Sequence, residues 1–276
     1  MAQRSNFRRQ PEQRTFAGEC PVHGSIDRSE VEQFDGSMAV RSCKQCQFHG
    51  LRVSPQGSEE HLQALANLQA ESVNSALVGS GITPRFSGST FATYRANTPA
   101  MIQALETCRG YADNFGEHFQ AGRNLLMCGN IGTGKTHLAS GIVQHVIRQH
   151  GAVAVITTAA EIIRVFKRSM ARDSGYTEGD VIDELASFDL LVIDEIGAQK
   201  GSEYELGVLH EIVDRRYQMV LPTVVVSNLP ATSKQDADGK PTPSLEQYIG
   251  ARALDRLREN KALLVGFTWA SARGRA

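Results

Sequence analysis

No stretch of this sequence approaches the roughly eighteen consecutive apolar residues of a membrane-spanning helix, so no bilayer span is expected. A charge excess is missing as well: 29 Lys and Arg against 30 Asp and Glu leave a net charge of −1. Without a global positive field, any contact with nucleic acid must come from a local patch. The N-terminus, MAQRSNFRRQPEQR, is basic but has no apolar segment of the kind a secretory signal needs. Five cysteines in 276 residues do not make a secreted disulfide framework, and a reducing cytoplasm is the expected setting. No internal repeat is visible. What is present is an apolar fraction of 41%, enough for a real core, in a length that suits one medium domain with a small appendage.

Residues 1–16 are polar and are expected to form a disordered tail. Residues 17–53 hold Cys20, Cys43 and Cys46 among many Gly and Ser. Residues 58–78 read as a helix with Ser58 as N-cap and a partial apolar stripe of Leu62, Leu65, Leu68 and Val73. GSGITPRFSG then breaks the helix, which places a boundary near Gly79 to Thr90 and makes 54–89 a helix and linker. From residue 90 to 276 the pattern is α/β. Helical segments at 100–120, 135–150, 159–172, 203–220 and 244–260 alternate with the apolar strands NLLMCG, AVAVITT, DLLVIDEIG, TVVVSNL and ALLVGF. Near-continuous apolar strands alternating with helices indicate a parallel sheet covered on both faces.

One loop carries chemistry. Gly129, Gly134, Lys135 and Thr136 satisfy G-x-x-x-x-G-K-[ST] between a strand and a helix, the context that makes a phosphate loop. The nucleotide-contacting run is Gly129, Asn130, Ile131, Gly132, Thr133, Gly134, Lys135, Thr136 and His137. Backbone N–H groups from Asn130 to Lys135 can ring phosphates, aided by the positive end of the helix. Lys135 would neutralise β and γ oxygens of ATP, and Thr136 would offer its hydroxyl to Mg²⁺. LLVIDE brings Asp194 and Glu195 to the carboxyl end of a second strand, where ligands sit in open α/β sheets. Asp194 is placed for Mg²⁺, and Glu195 to polarise an attacking water as general base. Asn228 ends TVVVSNL, a strand that can lie between the other two, and its amide can reach the water or the γ-phosphate; a polar strand cap is the alternative.

This combination resembles the AAA+ ATPases. In that class an arginine from the next subunit completes the site, and GARALDRLREN at 250–260 is similar to the distal arginine motif. Arg252 is the first choice for the finger. Arg256, one turn on, is the second choice or a separate sensor, and an exposed helix pairing its own charges is the plain alternative. GITPRFSGSTFATYR, VIDEIG, HEIVDRRY, GARALDRLRE and the closing FTWASARGR resemble the bacterial DnaC-type replicative helicase loaders, from about Gly81 onward. The resemblance implies a core without a separate C-terminal lid and a helicase-binding region ahead of it. It also implies an ATP-dependent homo-oligomer that touches single-stranded DNA and holds a hexameric replicative helicase until hydrolysis releases it. A transposase-helper ATPase on duplex DNA is the alternative.

For DNA, Arg164, Lys167 and Arg168 share one helix face, and Ser202 and Tyr204 follow the Asp-Glu strand; a solvated basic face and ordinary packing of Tyr204 are the alternatives. The polar insert at 233–244 has no assigned role. Cys20-x-x-His23 and Cys43-x-x-Cys46 have the paired spacing of a tetrahedral zinc ribbon over 17–53. With four protein ligands the Zn²⁺ would be structural, and His49 is a substitute for His23. The module departs from the simplest loaders, so it can serve helicase, DNA or the helix behind it. Cys108 and Cys128 read as core residues.

Overall fold

The computed structural model describes residues 7–171, 173–199, 201–233, 240 and 242–272. The insert at 233–244 therefore lies largely outside the described residues. An antiparallel sheet comes first, with order β1 (Gln13–Cys20), β2 (Gly24–Glu32) and β3 (Met38–Val40). β1 pairs with β2 from Gln13 opposite Val31 to Cys20 opposite Gly24. Strand β1 thus begins inside the stretch expected to be a disordered tail. Its backbone is satisfied by hairpin pairing with β2, a gain that polar composition does not reveal. Further upstream, the Phe7 N–H donates to Glu184 Oε1 at 3.2 Å, and the Phe7 ring packs on the main core.

Helix α1 (Lys44–Phe48) and a π-helical turn (His49–Val53) follow. The long helix α2 (Glu59–Val78) starts where the sequence predicts, with Ser58 Oγ accepting from the His61 N–H at 3.3 Å. One face of α2 packs on the N-terminal sheet: Asn74 Nδ2 donates to Glu32 O, and Asn74 Oδ1 accepts from the Phe34 N–H. Past α2 the connector runs along the main sheet, where the Ile156 N–H donates to Ser80 O at 2.8 Å.

The main domain contains α3 (Pro99–Asp113), α4 (Phe115–Ala121), β4 (Leu125–Gly129), α5 (Lys135–His150), β5 (Ala154–Thr158), α6 (Ala159–Ser169) and α7 (Glu178–Leu185). It continues with β6 (Leu190–Ile196), α8 (Glu203–Gln218), β7 (Thr223–Ser227), α9 (Glu246–Ile249), α10 (Ala251–Arg258) and β8 (Leu263–Phe267). The strands form one five-stranded sheet of order β5-β6-β7-β4-β8, parallel throughout. β7 lies between β6 and β4, as the sequence suggests. Side chains alternate across the sheet: Leu125 and Met127 join the core under α3 and α5, while Leu126 and Cys128 join the core under α6, α8 and α10. No helix among the described residues is long and apolar enough to cross a membrane.

Three departures from expectation have local causes. The helix expected at 100–120 breaks at Asn114, whose φ of −98° and ψ of 25° end α3. The helix expected at 244–260 breaks at Gly250, with φ at +83°. Helix α7 was not expected; it begins at a capping box in which Thr177 and Asp180 exchange hydrogen bonds.

Arg216 of α8 pins this domain together. It is 1% exposed and donates to Leu185 O (2.7 Å), Phe188 O (2.9 Å), Pro222 O (2.7 Å) and Thr223 Oγ1 (3.0 Å). It thereby joins the end of α7 to the entries of β6 and β7. Burial lowers its pKa to about 9, so it stays protonated at neutral pH. Arg216→Met would strand three buried carbonyls at about 1–3 kcal/mol each. A loss of at least about 3 kcal/mol is expected. A urea unfolding midpoint equal to wild type would contradict the assignment.

Candidate functional site

The loop between β4 and α5 has a backbone that side chains would spoil. Gly129 has φ +137°, and a Cβ there would stand 2.3 Å from Phe267 O of β8. Gly134 has φ +92°, and a Cβ there would stand 2.6 Å from the Tyr94 ring. Lys135, only 5% exposed, folds its ammonium into the loop and donates to Gly129 O (2.9 Å) and Asn130 O (2.5 Å). The Thr136 hydroxyl donates to Asp194 Oδ2 at 2.8 Å, tying the loop to the end of β6.

Asp194 is 5% exposed. Burial pushes its carboxyl above the usual range, while the Thr136 hydroxyl and the Glu195 N–H, which donates to Oδ1 at 2.7 Å, oppose the shift. Glu195 has φ +57°, in the left-handed region, where the β6–β7 register shifts between Ile193 and Ile196. This bulge breaks the alternation of the strand and leaves Glu195 exposed beside a buried Asp194. Asn228 is exposed one residue past β7, and Ser227 Oγ donates to Ile196 O at 2.7 Å, which holds the two strand ends together. Lys135, Thr136, Asp194, Glu195 and Asn228 line one cleft of about 360 Å³.

Other expected residues have other surroundings. His137 Nε2 lies 2.9 Å from Thr90 O and 3.2 Å from Thr93 Oγ1, so its ring ties α5 to the preceding segment. Arg252 is exposed on α10 and does not line the cleft of its own chain. Arg256 is ion-paired with Asp214 and lies over the Tyr217 ring at 5.4 Å. Arg164 pairs with Glu161, Lys167 lies 3.8 Å from Glu205, and Arg168 is exposed on the same helix. Ser202 caps α8 in a reciprocal box with Glu205, and Tyr204 packs on the main core. Sequence reasoning gave no role to Arg85, Thr93, Tyr94 or Arg95, which line the cleft from the segment ahead of α3. The signal was the quoted stretch GITPRFSGSTFATYR, whose composition states no chemistry.

In the N-terminal module, Cys20, His23, Cys43 and Cys46 converge, their ligand atoms all within 4.8 Å of one another. Cys20 and His23 flank the β1–β2 turn; Cys43 and Cys46 stand at the start of α1. Cys20 Sγ and Cys46 Sγ are 3.7 Å apart, and His23 Nδ1 lies 3.3 Å from Cys46 Sγ and 3.6 Å from the other two sulfurs. A tetrahedron of zinc–sulfur bonds near 2.3 Å has edges of about 3.8 Å, so the donor set fits zinc. Backbone N–H groups of Val22 and His23 lower Cys20 to about 6, while burial and the neighbouring sulfurs raise Cys46 to about 11. A bound cation is what would favour thiolate over thiol at such a cluster. His49 stands apart, exposed and 3.9 Å from Glu60. Cys108 and Cys128 are buried, which raises them to about 12 and about 11 and makes them core residues.

Residues 93–245 match the family of IstB-like ATP binding proteins. The replicative helicase loader DnaC of Escherichia coli (strain K12) is 34% identical over 196 residues, covering 71% of this chain and 74% of DnaC. Among solved structures, the DnaC helicase loader superposes with a TM-score of 0.56 at 22% identity, over 67% of this chain and 99% of that one. DnaI superposes with a TM-score of 0.52 at 20% identity, over 70% and 94%. At such identities the solved structures speak for the fold alone. The sequence relatives go further, and the chain belongs to the IstB-like ATP binding proteins and to the DnaC-type replicative helicase loaders.

Proposed function

We propose that this chain is an ATP-dependent loader that binds a hexameric replicative helicase and single-stranded DNA and helps place the ring on the strand. The reading rests most on one observation: the Thr136–Asp194 hydrogen bond and the Glu195 bulge face the same cleft as the phosphate loop. Thr136 and Asp194 would hold Mg²⁺, which when bound neutralises phosphate charge. Glu195 accepts the proton of the water that attacks the γ-phosphorus; the bond to ADP breaks, and ADP and phosphate leave. Asn228 orients that water. Hydrolysis of this kind serves as a release signal.

Arg252 is exposed and outside its own cleft, which suits a finger acting on a neighbouring protomer. Arg256, held by Asp214, stiffens α10 and is the weaker choice. On α6, Arg168 is exposed, and Arg164 and Lys167, which face Glu161 and Glu205, would exchange those carboxylates for phosphates when DNA binds. Ser202 and Tyr204 have structural duties that support no such role. Cys20, His23, Cys43 and Cys46 would hold a structural Zn²⁺ that staples the N-terminal module, and that module with α2 forms the helicase-facing end.

Four outcomes are expected. With ATP, the protein forms a stable complex with its cognate hexameric helicase on circular single-stranded DNA. Glu195→Gln retains ATP binding, lowers turnover by about 10²–10⁴-fold, and traps that complex. Gel filtration and phosphate release measure both, and no ATP-dependent capture of the ring would sink the loader reading. Arg252→Ala binds ATP but hydrolyses it poorly, and mixing it with Glu195→Gln restores part of the turnover. Flat activity at every mixing ratio would argue against a shared site. Cys43→Ser releases one equivalent of zinc, measured by metal analysis, and exposes residues 13–53 to protease while ATP binding persists. Unchanged metal content and cleavage would remove zinc from the account.

A further inference from the structure

Two stretches from opposite ends of the main domain meet on one atom. The carbonyl oxygen of Thr133, in the phosphate loop, accepts hydrogen bonds from the Tyr94 hydroxyl (3.1 Å) and from the indole Nε1–H of Trp269 (3.1 Å). Tyr94 precedes α3, and Trp269 follows β8. Thr133 is 2% exposed, and its own hydroxyl donates to Asn130 O at 2.8 Å. The segment after β8 stays on the loop beyond this contact. Asn130 Nδ2 donates to Thr268 O (3.0 Å) and Trp269 O (3.2 Å), and the Ala272 N–H donates to Gly132 O (2.9 Å). On the other side, the Tyr94 ring lies against Gly134 and edges His137 with centroids 5.4 Å apart. Burial pushes the Tyr94 hydroxyl up to about 12, so it remains a donor at working pH.

A trans peptide is planar, with its C=O and N–H pointing in opposite directions. The plane after Thr133 ends in the N–H of Gly134. Glycine on one side makes such a plane easy to turn, since no Cβ resists. Two donors fixed on the Thr133 oxygen from outside the loop stop that rotation. A peptide whose oxygen is held on one side presents its N–H on the other, and phosphate loops bind phosphate oxygens through inward-facing backbone N–H groups.

We propose that Tyr94 and Trp269 are positioning residues for nucleotide binding, holding the Thr133–Gly134 peptide so that the Gly134 N–H faces the phosphates. This rests on the phosphate-loop reading under Proposed function. Neither residue acts on the reaction itself, and their effect falls on ATP and ADP alike.

The test uses the full chain with Tyr94→Phe, Trp269→Phe and the double variant, which remove donors but keep rings. Radiolabelled Mg-ATP and Mg-ADP report affinity, and thermal unfolding without nucleotide reports stability. Each single variant is expected to weaken both nucleotides about three- to tenfold, the range of one neutral hydrogen bond. The double variant should lose more than the product of the two, because either donor alone still holds the carbonyl. Trp269 is the chain's one tryptophan, so Mg-ATP should change the emission of wild type and, at higher concentration, of Tyr94→Phe. Wild-type affinity, within twofold, in the double variant overturns the proposal; if the double variant does not fold, the same result in both single variants does so. Lys135→Ala run in parallel separates the two readings. Loss of binding there, with normal binding in the aromatic variants, overturns only the positioning role. Normal binding in Lys135→Ala removes the phosphate loop and the proposal together.

Discussion

The hydrogen bond from Thr136 to Asp194 is the contact on which the site depends. Strands β4 and β6 are not neighbours; β7 lies between them. Their carboxyl ends are therefore about 10 Å apart, two inter-strand spacings. The loop after β4 has to lean across the end of β7 before its threonine can reach the aspartate. Ser227, at that end, turns its hydroxyl to Ile196 O and holds the β6 and β7 ends together past the bulge. A buried carboxylate in this position is costly alone, and the Thr136 hydroxyl and the Glu195 N–H offset part of the cost. The same burial leaves Asp194 suited to a cation.

Much of this was legible in the sequence, because strands buried on both faces are written as unbroken apolar runs. LLVIDE and TVVVS became β6 and β7, and the helix from Lys135 to His150 was found at its observed bounds. The phosphate loop was legible for a different reason: glycine, lysine and threonine at fixed offsets have few other uses. Helix interruptions at Asn114 and Gly250 were not seen, since one residue's dihedral angles decide them and the apolar spacing runs on through. Strand β1 was missed because its partner, β2, supplies the hydrogen bonds that its polar residues do not advertise.

The candidate site was legible in parts. Positions whose duty is local, such as Gly129 and Lys135, could be named from the motif. The Glu195 bulge could not, because it arises from a register shift against β7. Tyr94 and Trp269 were invisible as a pair, since only the closed sheet brings their side chains to one oxygen. The reverse also holds. Ser202 reads as a contact for DNA when it is only known to follow the Asp-Glu strand, and as a helix cap once its reciprocal bonds with Glu205 are seen.

The connector at Ser80 has an effect on how copies of this molecule can join. A sheet's outermost strand presents unmatched backbone groups that recruit strands from other chains. At β5 one of these groups, the Ile156 N–H, is already occupied by the chain's own connector. That border is blunted against foreign strands. Extension of this five-stranded sheet by another protomer would begin at β8 on the opposite border, where Leu264 is turned to solvent. Contacts through helices and loops, by contrast, can separate without tearing a ladder apart.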